Sequence, residues 1–149
     1  MTYYIKVVDG VIEKYPYSFL DLKKDNPNTS FPIGYSNEEG LAALDVYILR
    51  LTERPEESEI DPLTQQIVEG TPILQDDVWT QVWEIENLPQ HVAETNVRSR
   101  RTYLLDKSDY KALVDNNMSQ EWVDYRQALR DITTQDGFPY SVSWPSKPL

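Results

Sequence analysis

Residues 117–139 read Asn117-Met-Ser-Gln-Glu-Trp-Val-Asp-Tyr-Arg-Gln-Ala-Leu-Arg-Asp-Ile-Thr-Thr-Gln-Asp-Gly-Phe-Pro. Within this stretch Trp122, Tyr125, Leu129 and Ile132 recur at steps of three, four and three, the period that gathers side chains into one stripe of an α-helix. Asn117 or Ser119 can accept a hydrogen bond from a free N–H of the first turn, and Gly137 followed by Pro139 supplies a stop. The spacing predicts a helix over about 119–134. Such a helix is marginal alone in water, because nucleation is costly and most helical stability comes from packing the apolar face. It therefore needs a surface to pack on, and folding it back on its own chain is the first expectation.

A helix to pair with it lies just upstream. Asn87-Leu88-Pro89 reads as a helix start with Pro89 at the first helical position, where its missing N–H costs nothing. No Gly or Pro follows until residue 137. A helix over about 90–105 would set Val92, Asn96, Tyr103 and Leu104 roughly on one side and pair Glu94 with Arg98 on the surface. Ser108 and Asp109 would cap a shorter turn through Leu113. The two helices form a hairpin, followed by an extended tail in which Pro139, Pro145 and Pro148 forbid helix. Tyr140, Val142 and Trp144 alternate with polar residues, so the tail suits an edge strand, on the chain's own sheet or a partner's, with the former preferred.

The N-terminal part is patterned for strands. Residues 2–8 are aromatic and β-branched, Asp9-Gly10 is a hairpin signal, and Val11 to Tyr15 forms the returning strand. From Pro16 to Pro32, prolines and Asn/Asp pairs favour an ordered loop or a binding loop, with Phe19, Leu20, Leu22 and Phe31 to bury. Asn37 caps a short helix at 38–44. Residues 45–52 alternate as a strand, with Val46 and Ile48 opposite Tyr47, Leu49 and Leu51, and the acidic segment 53–62 is a solvated connection. Gln65 to Glu69 and Val78 to Glu86 make a second antiparallel pair turning at Asp76-Asp77, with Trp79, Trp83 and Ile85 on one face and Thr80 and Glu84 on the other.

Composition limits the chemistry. The 149 residues contain no cysteine, which removes disulfides, thiolate nucleophiles and cysteine-ligated metals. His91 is the single histidine, without a G-x-S-x-G elbow or H-E-x-x-H motif, and reads as a surface residue. The five glycines are not spaced as a phosphate-binding loop, and Asp76, Asp77, Glu84 and Glu86 do not form a calcium loop. Catalysis, a cofactor and a bound metal are therefore not expected. The net charge of −11 arises before residue 88, where 17 acids face 6 bases, against 8 of each afterwards. A field of that sign argues against nucleic-acid binding. No apolar run is long enough to span a membrane and no basic-then-apolar leader opens the chain, so a soluble protein is expected.

The segment Leu104-Leu-Asp-Lys-Ser-Asp-Tyr110, then Tyr125-Arg-Gln-Ala-Leu-Arg-Asp-Ile132, then Gly137-Phe-Pro139 and Trp144-Pro-Ser-Lys-Pro148 resembles the C-terminal region of phage tail assembly chaperones, over about residues 98–148. Tyr110 stands where such sequences commonly carry a tryptophan after Ser-Asp, keeping a large aromatic. Residues 15–32 are similar to the N-terminal part of phage tail-fibre accessory proteins. The resemblance implies a tail or tail-fibre assembly chaperone acting in the host cytoplasm. Its partner would be a tail-fibre or other tail protein, self-association is left open, and retention in the virion tail is compatible with it. The alternative is a permanent structural component of the tail, fibre or baseplate.

The expected architecture is α+β: a β-rich acidic domain over 1–87, then a helical domain over 88–149. The expected partner surface is the helix face bearing Trp122, Tyr125, Arg126, Leu129, Arg130 and Asp131 together with Trp144, because Trp, Tyr and Arg ringed by polar residues tend to carry binding energy.

Overall fold

A computed structural model describes residues 3–113 and 117–149. The fold is α+β, and its contacts group the chain into two units, one comprising residues 1–55 and 68–84, the other 56–67 and 85–149.

The first unit begins with strands β1 (Tyr4–Val8) and β2 (Val11–Tyr17), antiparallel and joined at Asp9-Gly10. Both turn residues have positive φ, 50° and 77°, which matches the right-handed twist of the flanking strands and explains an Asp-Gly pair there. Thr2, placed at the start of this strand by its composition, lies outside the described residues. β3 (Val46–Ile48) pairs antiparallel with β1, giving the order β2-β1-β3. Central β1 is covered on both faces, with Tyr4, Ile5 and Val7 buried.

The segment 16–32, expected as a loop, contains helix α1 (Phe19–Asp25). Ser18 Oγ accepts from the Asp21 N–H while the Asp21 carboxylate accepts from the Ser18 N–H, a reciprocal capping box. The Ser-x-x-Asp signal outweighs the flanking prolines, because Pro16 and Pro27 lie outside the helix. Helix α2 (Glu38–Ala42) starts where predicted, with Asn37 Oδ1 accepting from the Gly40 N–H at 2.8 Å. Leu22 of α1, Leu41 of α2 and Val46 of β3 close a core around Tyr4 and Tyr17, with Phe19, Phe31 and Tyr35 packed on it.

The second strand pair is interrupted. β4 (Gln65–Glu69) pairs with β7 (Trp83–Asn87), and β5 (Ile73–Gln75) pairs antiparallel with β6 (Val78–Thr80) across Asp76-Asp77, both at positive φ. The division between units falls inside β4 and β7. Because Gln81-Val82 breaks the strand, alternation does not carry through: Thr80 is buried while Ile85 is half exposed. Thr80 is covered because the chain leaving β3 bridges to β6, with Arg50 N–H donating to Trp79 C=O and Gln81 N–H to Arg50 C=O, each at 2.9 Å.

In the second unit α3 (Gln90–Asp106) and α4 (Gln120–Arg130) form the predicted hairpin, and 3-10 turns follow at Asp109–Ala112 and Asp131–Thr134. Pro89 is not the first helical residue but the cap before it, with extended ψ of 138°, and its carbonyl accepts from Val92 and Ala93 N–H. The buried stripe of α3 is Ala93 and Val97, flanked by half-buried Val92, Asn96 and Leu104, whereas Tyr103 faces solvent. The acidic connection 53–62 is mostly exposed, as expected, and the residues just after it are anchored. Residues 56–67 group with the helices because Leu88 N–H donates to Thr64 C=O and Asn96 Nδ2 to Leu63 C=O, with Thr64 and Ile67 buried. By unit, the charge is therefore 12 acids against 6 bases in the first and 13 against 8 in the second. Among the described residues no helix is long and apolar enough to cross a membrane.

Candidate functional site

The α4 stripe forms as its period predicts and is consumed internally. Trp122, Tyr125 and Leu129 are buried together, with Leu104 and Leu105 of α3, Met118 and Trp144 packed against them. Trp122 and Tyr125 meet edge to face at 5.7 Å and 88°, the arrangement that sets a positive ring edge on a negative face. Ser119 occupies the cap position without a side-chain bond to the first turn, so packing is what holds the start of α4.

Arg126 lies within the stripe with its side chain 9% exposed. One guanidinium nitrogen donates to Leu105 C=O at 3.0 Å and Ser108 Oγ at 2.6 Å, and the other to Asp109 Oδ1 at 2.7 Å. Leu105 is in the last turn of α3, where carbonyls have no partner within the helix and the helix dipole favours a cation. The rigid fork of the guanidinium reaches three acceptors at once, which a lysine could not do. Ser108 takes the expected cap position of the 3-10 turn, its carbonyl accepting from Lys111 N–H, while its hydroxyl donates to Leu105 C=O and accepts from Arg126. Arg126 thus ties the two helices together at the turn.

The tail docks on its own unit, though not as a strand. Gln135 and Ser143 exchange hydrogen bonds, with Ser143 N–H donating to Gln135 Oε1 at 2.7 Å and Gln135 Nε2 donating to Ser143 C=O at 3.1 Å. Tyr140 donates its hydroxyl to Leu88 C=O, and Trp144 adds its ring to the buried cluster. Prolines at 139, 145 and 148 withhold the N–H groups a strand ladder would need.

The residues expected to face a partner are therefore divided. Trp122, Tyr125, Arg126 and Leu129 are buried within the chain. Trp144 is half-buried, and Arg130 and Asp131 are exposed. The same region exposes aromatic residues that helical periodicity had assigned elsewhere or left aside. Tyr103 is 51% exposed, with Arg100 and Lys107 cations 5.6 and 5.5 Å from its ring centre. Tyr110 is 54% exposed, with the Lys111 ammonium at 5.3 Å. Lys111 also stands 5.0 Å from the Trp122 ring, closing the outer edge of the cluster. Exposed aromatic rings carrying cations on their faces are suited to desolvation against another protein. The sequence signal for Tyr103 was Arg100 three residues before it and Lys107 four after; the cation at Tyr110 is its neighbour Lys111, which no helical spacing marks.

Residues 94–149 match the family model of the phage tail assembly chaperone protein. The match begins within α3 and takes in the turn, α4 and the docked tail, so it covers the structure that Arg126 and Trp144 hold together. The C-terminal region is thereby similar to that family. Neither curated proteins nor solved structures gave a match to the chain.

Proposed function

We propose that the protein is a phage tail assembly chaperone that binds a tail-fibre subunit and assists its folding or trimerisation. The observation that supports this reading is that the matched segment takes in most of α3, the turn, α4 and the tail docked on them. With the α4 stripe buried, binding falls to an exposed band, Tyr103 and Tyr110 with their cations, and to exposed Arg130 and Asp131. Such a protein acts by mass action: it covers apolar surface or open strand edges of an unassembled subunit until assembly buries them, without breaking a covalent bond. It would work in the host cytoplasm during assembly.

The test is co-expression with the tail-fibre protein of the encoding phage, followed by size-exclusion chromatography and mass spectrometry of purified virions. Fibre that becomes soluble only with this protein, which is then missing from virions, supports the chaperone. A complex retained in virions makes it a permanent tail component. The double variant Tyr103→Ala/Tyr110→Ala, folded by circular dichroism, should weaken fibre capture about tenfold or more, as loss of aromatic anchors does. Capture unchanged by that variant removes this band from the contact.

A further inference from the structure

The first unit holds a groove of about 350 Å³ against the outer side of its core, outside the segment that the family match covers. It is lined by apolar side chains, Leu41 and Ala42 of α2, Val46 and Ile48 of β3, and Val78 and Trp79 of β6, and by Tyr47. Its remaining lining residues are Glu38, Glu39 and Asp77, all exposed. No hydrogen bond or ion pair among the described residues engages these three carboxylates. Other acids of this unit are matched: Glu13 and Asp25 share Lys6, and Asp21 takes Lys14.

Part of this has a local cause. Glu38 and Glu39 sit in the first turn of α2, where the helix dipole favours acids, and Asp77 supports a turn at positive φ. Neither cause requires the three to gather at an apolar groove that brings together three separate parts of the unit. Nor do they form a metal cluster: among the described residues no group of three or more His, Cys, Asp and Glu is placed to hold an ion.

We infer that this groove docks a basic, extended segment of a protein partner, an aliphatic-stemmed Arg or Lys side chain lying on Trp79 and Tyr47 with its cation against Glu38, Glu39 and Asp77. Complementarity selects this occupant. The lining is apolar with aromatic rings, the shape of contact a long basic side chain makes along its stem, and every charge at the groove is negative. An acidic or phosphate-bearing partner would meet only repulsion, and a purely apolar segment would leave the three carboxylates unpaired at its edge. Where the chaperone reading holds, this assigns the first unit its own contact with the tail protein, separate from Tyr103 and Tyr110 of the second.

The test uses the full chain, labelled with nitrogen-15, and two peptides, acetyl-LRLR-amide and its acidic counterpart acetyl-LELE-amide. The basic peptide should shift the amides of residues 38–48 and 77–79 saturably while the acidic one leaves them in place. The binding should weaken about tenfold in the triple variant Glu38→Gln/Glu39→Gln/Asp77→Asn, which keeps side-chain size and leaves at 77 a residue that tolerates positive φ. A single variant, Asp77→Asn, should weaken it about twofold and guards against misfolding of the triple. Shifts scattered over the acidic surface, or affinity unchanged in both variants, overturn the inference. Peptide binding at the groove with no capture of any tail protein would leave the inference standing and overturn the chaperone reading instead.

Discussion

Replacing Arg126 by alanine should be the most damaging single polar change in the helical unit. The guanidinium makes three charge-assisted hydrogen bonds, two of them to neutral acceptors at the end of α3 and one to Asp109, whose side chain is 61% exposed. A hydrogen bond to a charged group contributes about 1.5–3 kcal/mol, and the ion pair to an exposed carboxylate no more than about 1 kcal/mol. Leu105 C=O keeps its bond from Ser108, and Asp109 is left to water, so the partners are not orphaned. The loss, including the packed stem, is therefore about 3 kcal/mol rather than the sum of three bonds. For a unit of this size that lowers the midpoint of unfolding by about 12–24 °C. Arg126→Lys, which keeps the charge but not the fork, should lose about half as much. Asp109→Asn should cost below about 1 kcal/mol. The assay is urea unfolding followed by tryptophan fluorescence, with a double-mutant cycle between positions 126 and 109. Arg126→Ala unfolding within about 0.5 kcal/mol of the parent, or a cycle in which Asp109 carries most of the effect, would refute this account of the turn.

Trp144→Ala should release the tail from the Trp122 cluster. Proteolysis should then cut after residue 140 far faster than in the parent, with α3 and α4 still helical by circular dichroism. Ser18→Ala removes one half of the capping box and should destabilise the first unit by about 1 kcal/mol in chemical denaturation, while Ser18→Asp should restore most of it. The carboxylates of Asp21 and Asp25 are held below the ordinary 3.8, the first chiefly by its bond from Lys14, the second by bonds from Tyr17 and then Lys6. A depressed carboxylate adds stability above its unfolded value that disappears as pH falls through its folded one. The first unit should thus weaken on acidification below about pH 4, and Asp25→Asn should flatten that dependence when the midpoint is followed from pH 6 to pH 2. Steeper acid sensitivity in the variant would contradict the assignment.

Local chemistry was legible in the chain before any contact was known. Asp9-Gly10 specifies a turn because both residues must take positive φ, and Asn37 starts α2 because its side chain reaches an N–H three residues on. The 122–125–129 spacing gives α4 a single apolar face, and Ile132 extends it into the following 3-10 turn; each such feature is decided by residues a few positions apart along the chain. The α1 capping box is equally local, Ser18 and Asp21 starting a helix between prolines that favour a loop. Tertiary structure decided what those faces meet. That Leu104, Leu105 and Trp144, rather than a partner, cover Trp122 depends on pairing across a turn and a tail. That Arg126 finds Leu105, Ser108 and Asp109 depends on where α3 ends. That residues 56–67 join the helices depends on Leu88 and Asn96 reaching carbonyls 24 and 33 positions away. Periodicity states which side of a helix is apolar; only the closure of long loops, with the apolar area it buries, determines whose surface that side is given to.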